Sequence, residues 1–116
     1  MKQYTIYHNP RCSKSRNTLQ ILNDNGVAVE VKLYLENPPS LEELAKIGQI
    51  LNKTPMEFIR NKEDKFKELN LKSFSGSDNE LFKIMSENPK LIERPIVVCG
   101  NKAIIGRPPE NVNELL

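Results

Sequence analysis

The sequence predicts an α/β domain on a mixed four-stranded sheet. Three stretches carry the prediction: an opening β-α-β unit, a middle of short capped helices, and a closing β-hairpin with one more helix. Residues 3–7, QYTIY, are a β-rich run that stops at His8-Asn9-Pro10, where proline and asparagine break the strand pattern. From about Ser15 to Asn25, Leu19, Ile21 and Leu22 recur at roughly helical spacing, and Gly26 stands where a helix stops. Residues 27–34, VAVEVKLY, set Val27, Val29, Val31 and Leu33 against Ala28, Glu30 and Lys32, the period-two pattern of a strand.

After the stiff Asn37-Pro38-Pro39 turn, three hydroxyl residues precede an acid by three positions: Ser40 with Glu43, Thr54 with Glu57 and Ser77 with Glu80. Pro55 fits a first helical turn. These signals predict helices near 41–51, 55–60, 63–69 and 78–88, the last closed by Asn88-Pro89. Ile96-Val97-Val98 then reads as a buried strand, turned by Gly100-Asn101 into Lys102-Ala103-Ile104-Ile105. Pro108-Pro109-Glu110 opens a final helix expected to face Val112, Leu115 and Leu116 inward. A β-α-β unit, a helical insertion and a terminal hairpin plus helix match the thioredoxin-like architecture. At 116 residues the chain is expected to be one such domain, 1–116.

Composition removes several function classes. Seventeen Lys plus Arg against fifteen Asp plus Glu leave a formal charge of +2, too little for the basic field of a nucleic-acid binder, so any anion site must be local. No apolar run approaches the ~20 residues of a membrane span, and MKQYTIYHNP lacks the features of a secretory signal; a cytoplasmic protein is expected. The two cysteines, Cys12 and Cys99, are too far apart for a C-x-x-C pair, and with one histidine no zinc-type cluster forms, so no metal and no bound cofactor are expected.

Cys12 falls between the first strand and the first helix, where amides and the helix dipole face its sulfur and favour the nucleophilic thiolate. Arg11, Lys14 and Arg16 add positive charge, and the hydroxyls of Ser13 and Ser15 are candidate donors to a thiolate or a bound oxyanion. An ordinary buried cysteine is the competing reading; polar and basic neighbours argue against it.

The run Tyr7-His8-Asn9-Pro10-Arg11-Cys12-Ser13-Lys14-Ser15-Arg16-Asn17-Thr18-Leu19 resembles the active-site segment of arsenate reductases that draw electrons from glutathione and glutaredoxin. Leu33-Tyr34-Leu35-Glu36-Asn37-Pro38-Pro39, Glu93-Arg94-Pro95-Ile96-Val97-Val98 and Ile105-Gly106-Arg107-Pro108-Pro109-Glu110 extend the resemblance along the chain. It implies that Cys12 attacks arsenate and that Arg60, Arg94 and Arg107 hold its oxygens, since a thiolate meeting a dianion needs fixed guanidinium forks. Without the resemblance, Arg60 reads equally well as a solvated helix charge.

Pro95 matches the proline that thioredoxin-like folds place in cis beside the thiol, and His8 and Ser15 are supporting candidates, His8 for tuning the thiol or orienting the loop. If Pro95 lies near Cys12, Cys99 lies roughly 13 Å further along its strand and is expected to be structural. The implied reaction has Cys12 displace a hydroxyl from arsenic, glutathione attack the arsenylated enzyme, and glutaredoxin resolve the mixed disulfide as arsenite leaves.

Alternatives differ in testable ways. C-S-K-S in place of C-x-x-C disfavours a dithiol thioredoxin, and counting C-x5-R from Cys12 reaches Thr18, which rules out a phosphatase-type loop. A redox-responsive regulator that binds RNA polymerase shares the Arg-Pro-Ile segment, but Ser15 and Arg107 favour the enzyme. A broader glutathione-dependent thiol oxidoreductase stays open.

Overall fold

The strand that opens the sequence becomes an inner strand of the sheet. The computed structural model describes residues 2–116. β1 (Gln3–Tyr7) lies between β2 (Ala28–Lys32), parallel to it, and β3 (Ile96–Cys99), antiparallel to it; β4 (Lys102–Ile105) completes the order β2-β1-β3-β4. Gly100, at φ 61°, makes the β3-β4 turn in the left-handed region that favours glycine. α1 (Ser13–Asp24) joins β1 to β2. This is the thioredoxin-like α/β arrangement that the element order predicts.

The chain divides into two compact units, one formed by residues up to Asn37 together with Arg94–Leu116, the other by Pro38–Glu93. In the first, Tyr4, Ile6, Leu22, Val97, Ile104, Val112 and Leu115 form one buried cluster, with Leu19, Ile21, Val27, Val29 and Cys99 packed against it. Each such aliphatic or aromatic side chain contributes about 1.5–3 kcal/mol when fully buried. The buried Tyr4 hydroxyl donates to the Leu115 carbonyl at 2.7 Å, which ties the C-terminal 3-10 helix Pro109–Leu115 to the sheet. That segment is a 3-10 helix, and Leu116, expected to face inward, is 41% exposed. The tighter 3-10 turn accounts for the miss, because it seats Val112 and Leu115, three apart, and turns the next residue outward.

Two boundaries move for local reasons. α1 begins at Ser13, before its first apolar residue, because Cys12 acts as its N-cap. β2 stops at Lys32 because the Leu33 carbonyl accepts from the amides of Glu36 and Asn37 and closes a turn.

The second unit is helical. α2 (Leu41–Leu51) starts where the Ser40 hydroxyl accepts from the Glu43 amide, α3 spans Asp64–Glu68, and α4 (Asp78–Glu87) carries a reciprocal Ser77-Glu80 capping box. Leu44, Ile47, Phe58, Leu81, Phe82 and Met85 are among its buried side chains. The expected helix over 55–60 is a correction. Only Pro55–Glu57 forms a 3-10 turn, after which Ile59 pairs antiparallel with Ile92. Two backbone bonds hold this bridge, Arg60 N to Leu91 O at 2.7 Å and Glu93 N to Phe58 O at 3.0 Å, so long-range pairing overrides the helix signal. Among the described residues no helix is long and apolar enough to cross a membrane.

Candidate functional site

The site is built at the end of β1. The His8 amide donates to Lys32 O at 2.9 Å, and the chain then folds back so that Cys12 N reaches Asn9 O at 3.0 Å. Asn9 Oδ1 accepts from the Arg11 amide at 3.0 Å, and Arg16 Nη1 donates to Pro10 O at 2.9 Å. Cys12, half-buried at the N-cap of α1, has φ −96° and ψ 122°, and its carbonyl takes the first helical bond, from Arg16 N. Burial alone raises the thiol pKa. The Ser15 amide, the Arg94 guanidinium by hydrogen bond and by charge, and the Lys14 amide together outweigh that, and the thiol sits below its ordinary value.

Ser15 is fully buried, and its hydroxyl bonds within the loop. Its Oγ lies 2.6 Å from His8 Nδ1 and accepts from the Asn9 amide at 3.0 Å. The hydroxyl keeps a second acceptor site and its own proton, so the His8–Ser15 bond accommodates either imidazole tautomer. Burial and, after it, the charge of Arg16 lower the His8 pKa. His8 thus meets Ser15 from inside the loop, at only 6% exposure.

A stability prediction follows. With a native pKa below the unfolded value of about 6.5, His8 contributes stability that is full above that value and is lost as pH falls through the lower native one. His8 is the only histidine in the chain. Urea midpoints at pH 7.5 and 5.5 are expected to drop more in the parent protein than in His8→Asn; equal drops in both would contradict a buried neutral ring.

Arg94 and Arg107 come from the two ends of the hairpin. The Arg94–Pro95 and Arg107–Pro108 bonds are both cis; the first matches the resemblance, and the second was not anticipated. Gly106 N donates to Pro95 O at 2.8 Å, Arg107 N to Ile105 O at 2.9 Å, and Arg107 Nη1 to Arg94 O at 3.4 Å. Gly106 is what permits this crossing. A Cβ there would lie 2.5 Å from Thr18 Oγ1, 2.8 Å from Pro95 Cγ and 3.2 Å from Thr18 Cγ2. Thr18 cannot yield cheaply, since it is fully buried and its hydroxyl donates to Lys14 O at 2.8 Å.

Gly106→Ala is accordingly expected to cost about 1–3 kcal/mol in urea unfolding, the usual penalty of overpacking. Adding Thr18→Ala is expected to cost less than the sum of the two single changes, because two of the three close atoms are then gone. Strict additivity would contradict the packing account. The Gly106-Thr18 contact escaped the sequence reading, and the only signal for it is a glycine between a strand and Arg107.

Arg60 belongs to the helical unit, at the end of the Ile59 bridge. It is not a solvated helix charge: its side chain is 17% exposed, with Nη1 3.1 Å from Glu93 Oε1 and Nη2 3.5 Å from Glu63 Oε2. Its buried Nε has no hydrogen-bond partner among the described residues. Cys99 pairs across from Tyr4, at the opposite end of β1 from the Tyr7-Ile96 pair, and both cysteines are free thiols.

Comparison with known proteins places this geometry among relatives. A model of the ArsC family matches residues 7–115. The chain is 54% identical over 116 residues to YfgD, an uncharacterized protein of Escherichia coli (strain K12), covering 99% of this chain and 98% of that one. It is 48% identical over 112 residues to an arsenate reductase of Haemophilus influenzae, covering 96% and 97%. The solved arsenate reductase of Vibrio cholerae superposes with a TM-score of 0.95 at 52% identity, over 99% of this chain and 98% of that one.

Proposed function

Because the chain belongs to the ArsC family, we propose that it reduces arsenate to arsenite, with Cys12 as nucleophile and with glutathione and glutaredoxin as the thiol donors. One observation carries the reading: the Cys12 sulfur is held below its ordinary pKa by two helix-terminal amides and the Arg94 guanidinium. That set stabilises an attacking anion before substrate arrives and is preorganised for the oxyanion that follows.

The steps balance with thiols alone. The Cys12 thiolate attacks arsenic and forms an S–As(V) bond, while one arsenate oxygen takes a proton and leaves as water. Arg94 and Arg107 neutralise the remaining oxygens. A glutathione thiolate then attacks Sγ of Cys12; the S–S bond forms, and the S–As electron pair stays on arsenic, which becomes As(III). A glutaredoxin thiolate attacks the mixed disulfide, and Cys12 leaves as thiolate. No metal or prosthetic group enters, and the reducing cytoplasm supplies both donors.

Arg60 completes the proposed arginine set. The sequence resemblance supports this, as does its buried Nε, a donor for which an acceptor is expected. Its terminal nitrogens pair with Glu93 and Glu63.

The test couples purified protein, arsenate, glutathione, glutaredoxin and glutathione reductase to NADPH consumption. The expected result is turnover that needs all of arsenate, glutathione and glutaredoxin. NADPH consumption with other disulfides but not with arsenate would instead assign a broader thiol oxidoreductase, and no consumption with either would favour a regulator.

A further inference from the structure

Arg60 is offered to an oxyanion, yet both of its terminal nitrogens already face carboxylates. The two contacts differ in kind. Nη1 donates a hydrogen bond to Glu93 Oε1 at 3.1 Å, between side chains 17% and 24% exposed. Nη2 stands 3.5 Å from Glu63 Oε2, beyond the reach of a strong charged hydrogen bond, and the Glu63 side chain is 30% exposed. Glu63 occupies the N-cap position of α3, but its side chain caps no amide there.

The covalent shape of the guanidinium sorts these contacts. Nη1 lies on the Cδ side, whereas Nε and Nη2 share the opposite edge, where their N–H bonds run side by side and match two oxygens of a tetrahedral anion. Nε is buried and has no hydrogen-bond partner among the described residues. One half of that edge is therefore an unused donor, and the other half is held by the looser of the two carboxylates.

Resting on the reading of Arg60 as an arsenate ligand, we infer that the two carboxylates have opposed roles: Glu93 is a positioning residue that anchors Nη1, and Glu63 is a competitor that the oxyanion displaces from Nη2. The incoming anion then takes Nε and Nη2 together, and Glu93 keeps Nη1. Charge supports the exchange. One guanidinium against two carboxylates leaves a local excess of negative charge, which opposes a dianion; displacing Glu63 relieves it at the edge the anion enters. An i,i+3 pair this exposed is weak, so a bidentate oxyanion outcompetes it.

The experiment measures arsenate binding by calorimetry in the Cys12→Ser background, where no turnover follows binding. Glu63→Ala is expected to tighten arsenate about threefold, the size of an exposed ion pair. Glu93→Ala is expected to weaken it about threefold to tenfold, because a hydrogen bond to a charged group is lost. Glu93→Gln, whose amide oxygen still accepts from Nη1, is expected to recover most of that loss, and thermal unfolding checks that each variant folds. A merely structural role for the two carboxylates would not move the alanine variants in opposite directions. Shifts in the same direction, or a Glu63→Ala protein that binds arsenate as its parent does, would overturn the inference. Arg60→Leu separates this from the underlying reading: unchanged arsenate binding there would remove Arg60 from the arginine set and the inference with it. Weakened binding in Arg60→Leu without the opposed shifts would overturn the inference alone.

Discussion

Cys12→Ser is expected to leave no measurable arsenate-dependent turnover, a loss beyond a thousandfold, while the protein still folds. The serine is nearly isosteric and sits at a half-buried helix N-cap, a position serine favours, so thermal unfolding should move little. The chemistry fails twice over. A hydroxyl at neutral pH is not an anion that two amides and one arginine can hold ionised. An oxygen also cannot form the disulfide whose formation returns two electrons to arsenic. Retained turnover would transfer the nucleophile to Cys99, which pairs across from Tyr4 at the far end of β1. The coupled NADPH assay on the variant decides this directly.

Arg94→Leu is expected to carry the next largest effect, about a hundredfold to a thousandfold in kcat/KM for arsenate. That is the usual consequence of removing one preorganised donor to a developing oxyanion. It should also raise the Cys12 pKa, because Arg94 contributes both a hydrogen bond and a charge to the thiolate. Arg94→Lys separates the two roles. It restores the charge and part of the pKa, but not the planar fork that grips two oxygens, so kcat/KM should stay well below the parent's. Equal activity in the Lys variant and the parent would mean that Arg94 acts only as a charge.

What the sequence makes legible here is whatever rests on local signals. The β1 stop at His8-Asn9-Pro10, the Gly100-Asn101 turn and the Ser77-Glu80 box all act over a few residues, and all stand in the structure. Cys12 at a helix N-terminus was readable for the same reason. The misses depend on distant partners. Thr54-Pro55 starts a turn as its pattern predicts, but residues 58–60 are claimed by 91–93, more than thirty positions away. The burial of Ser15 and its bond to His8, seven residues earlier, were not visible in the pattern. Gly106 against Thr18 is a contact across the sheet-helix packing that no spacing rule encodes.

Everything proposed for Cys12 depends on its thiol being held below its ordinary pKa by Arg94 and the amides of Lys14 and Ser15. The pH dependence of iodoacetamide alkylation at Cys12, followed by mass spectrometry in the parent and in Arg94→Leu, tests it most directly. The account predicts a parent midpoint below the ordinary thiol value of about 8.5 and a higher midpoint in the variant. A parent midpoint at or above that value, unmoved by the substitution, would contradict it.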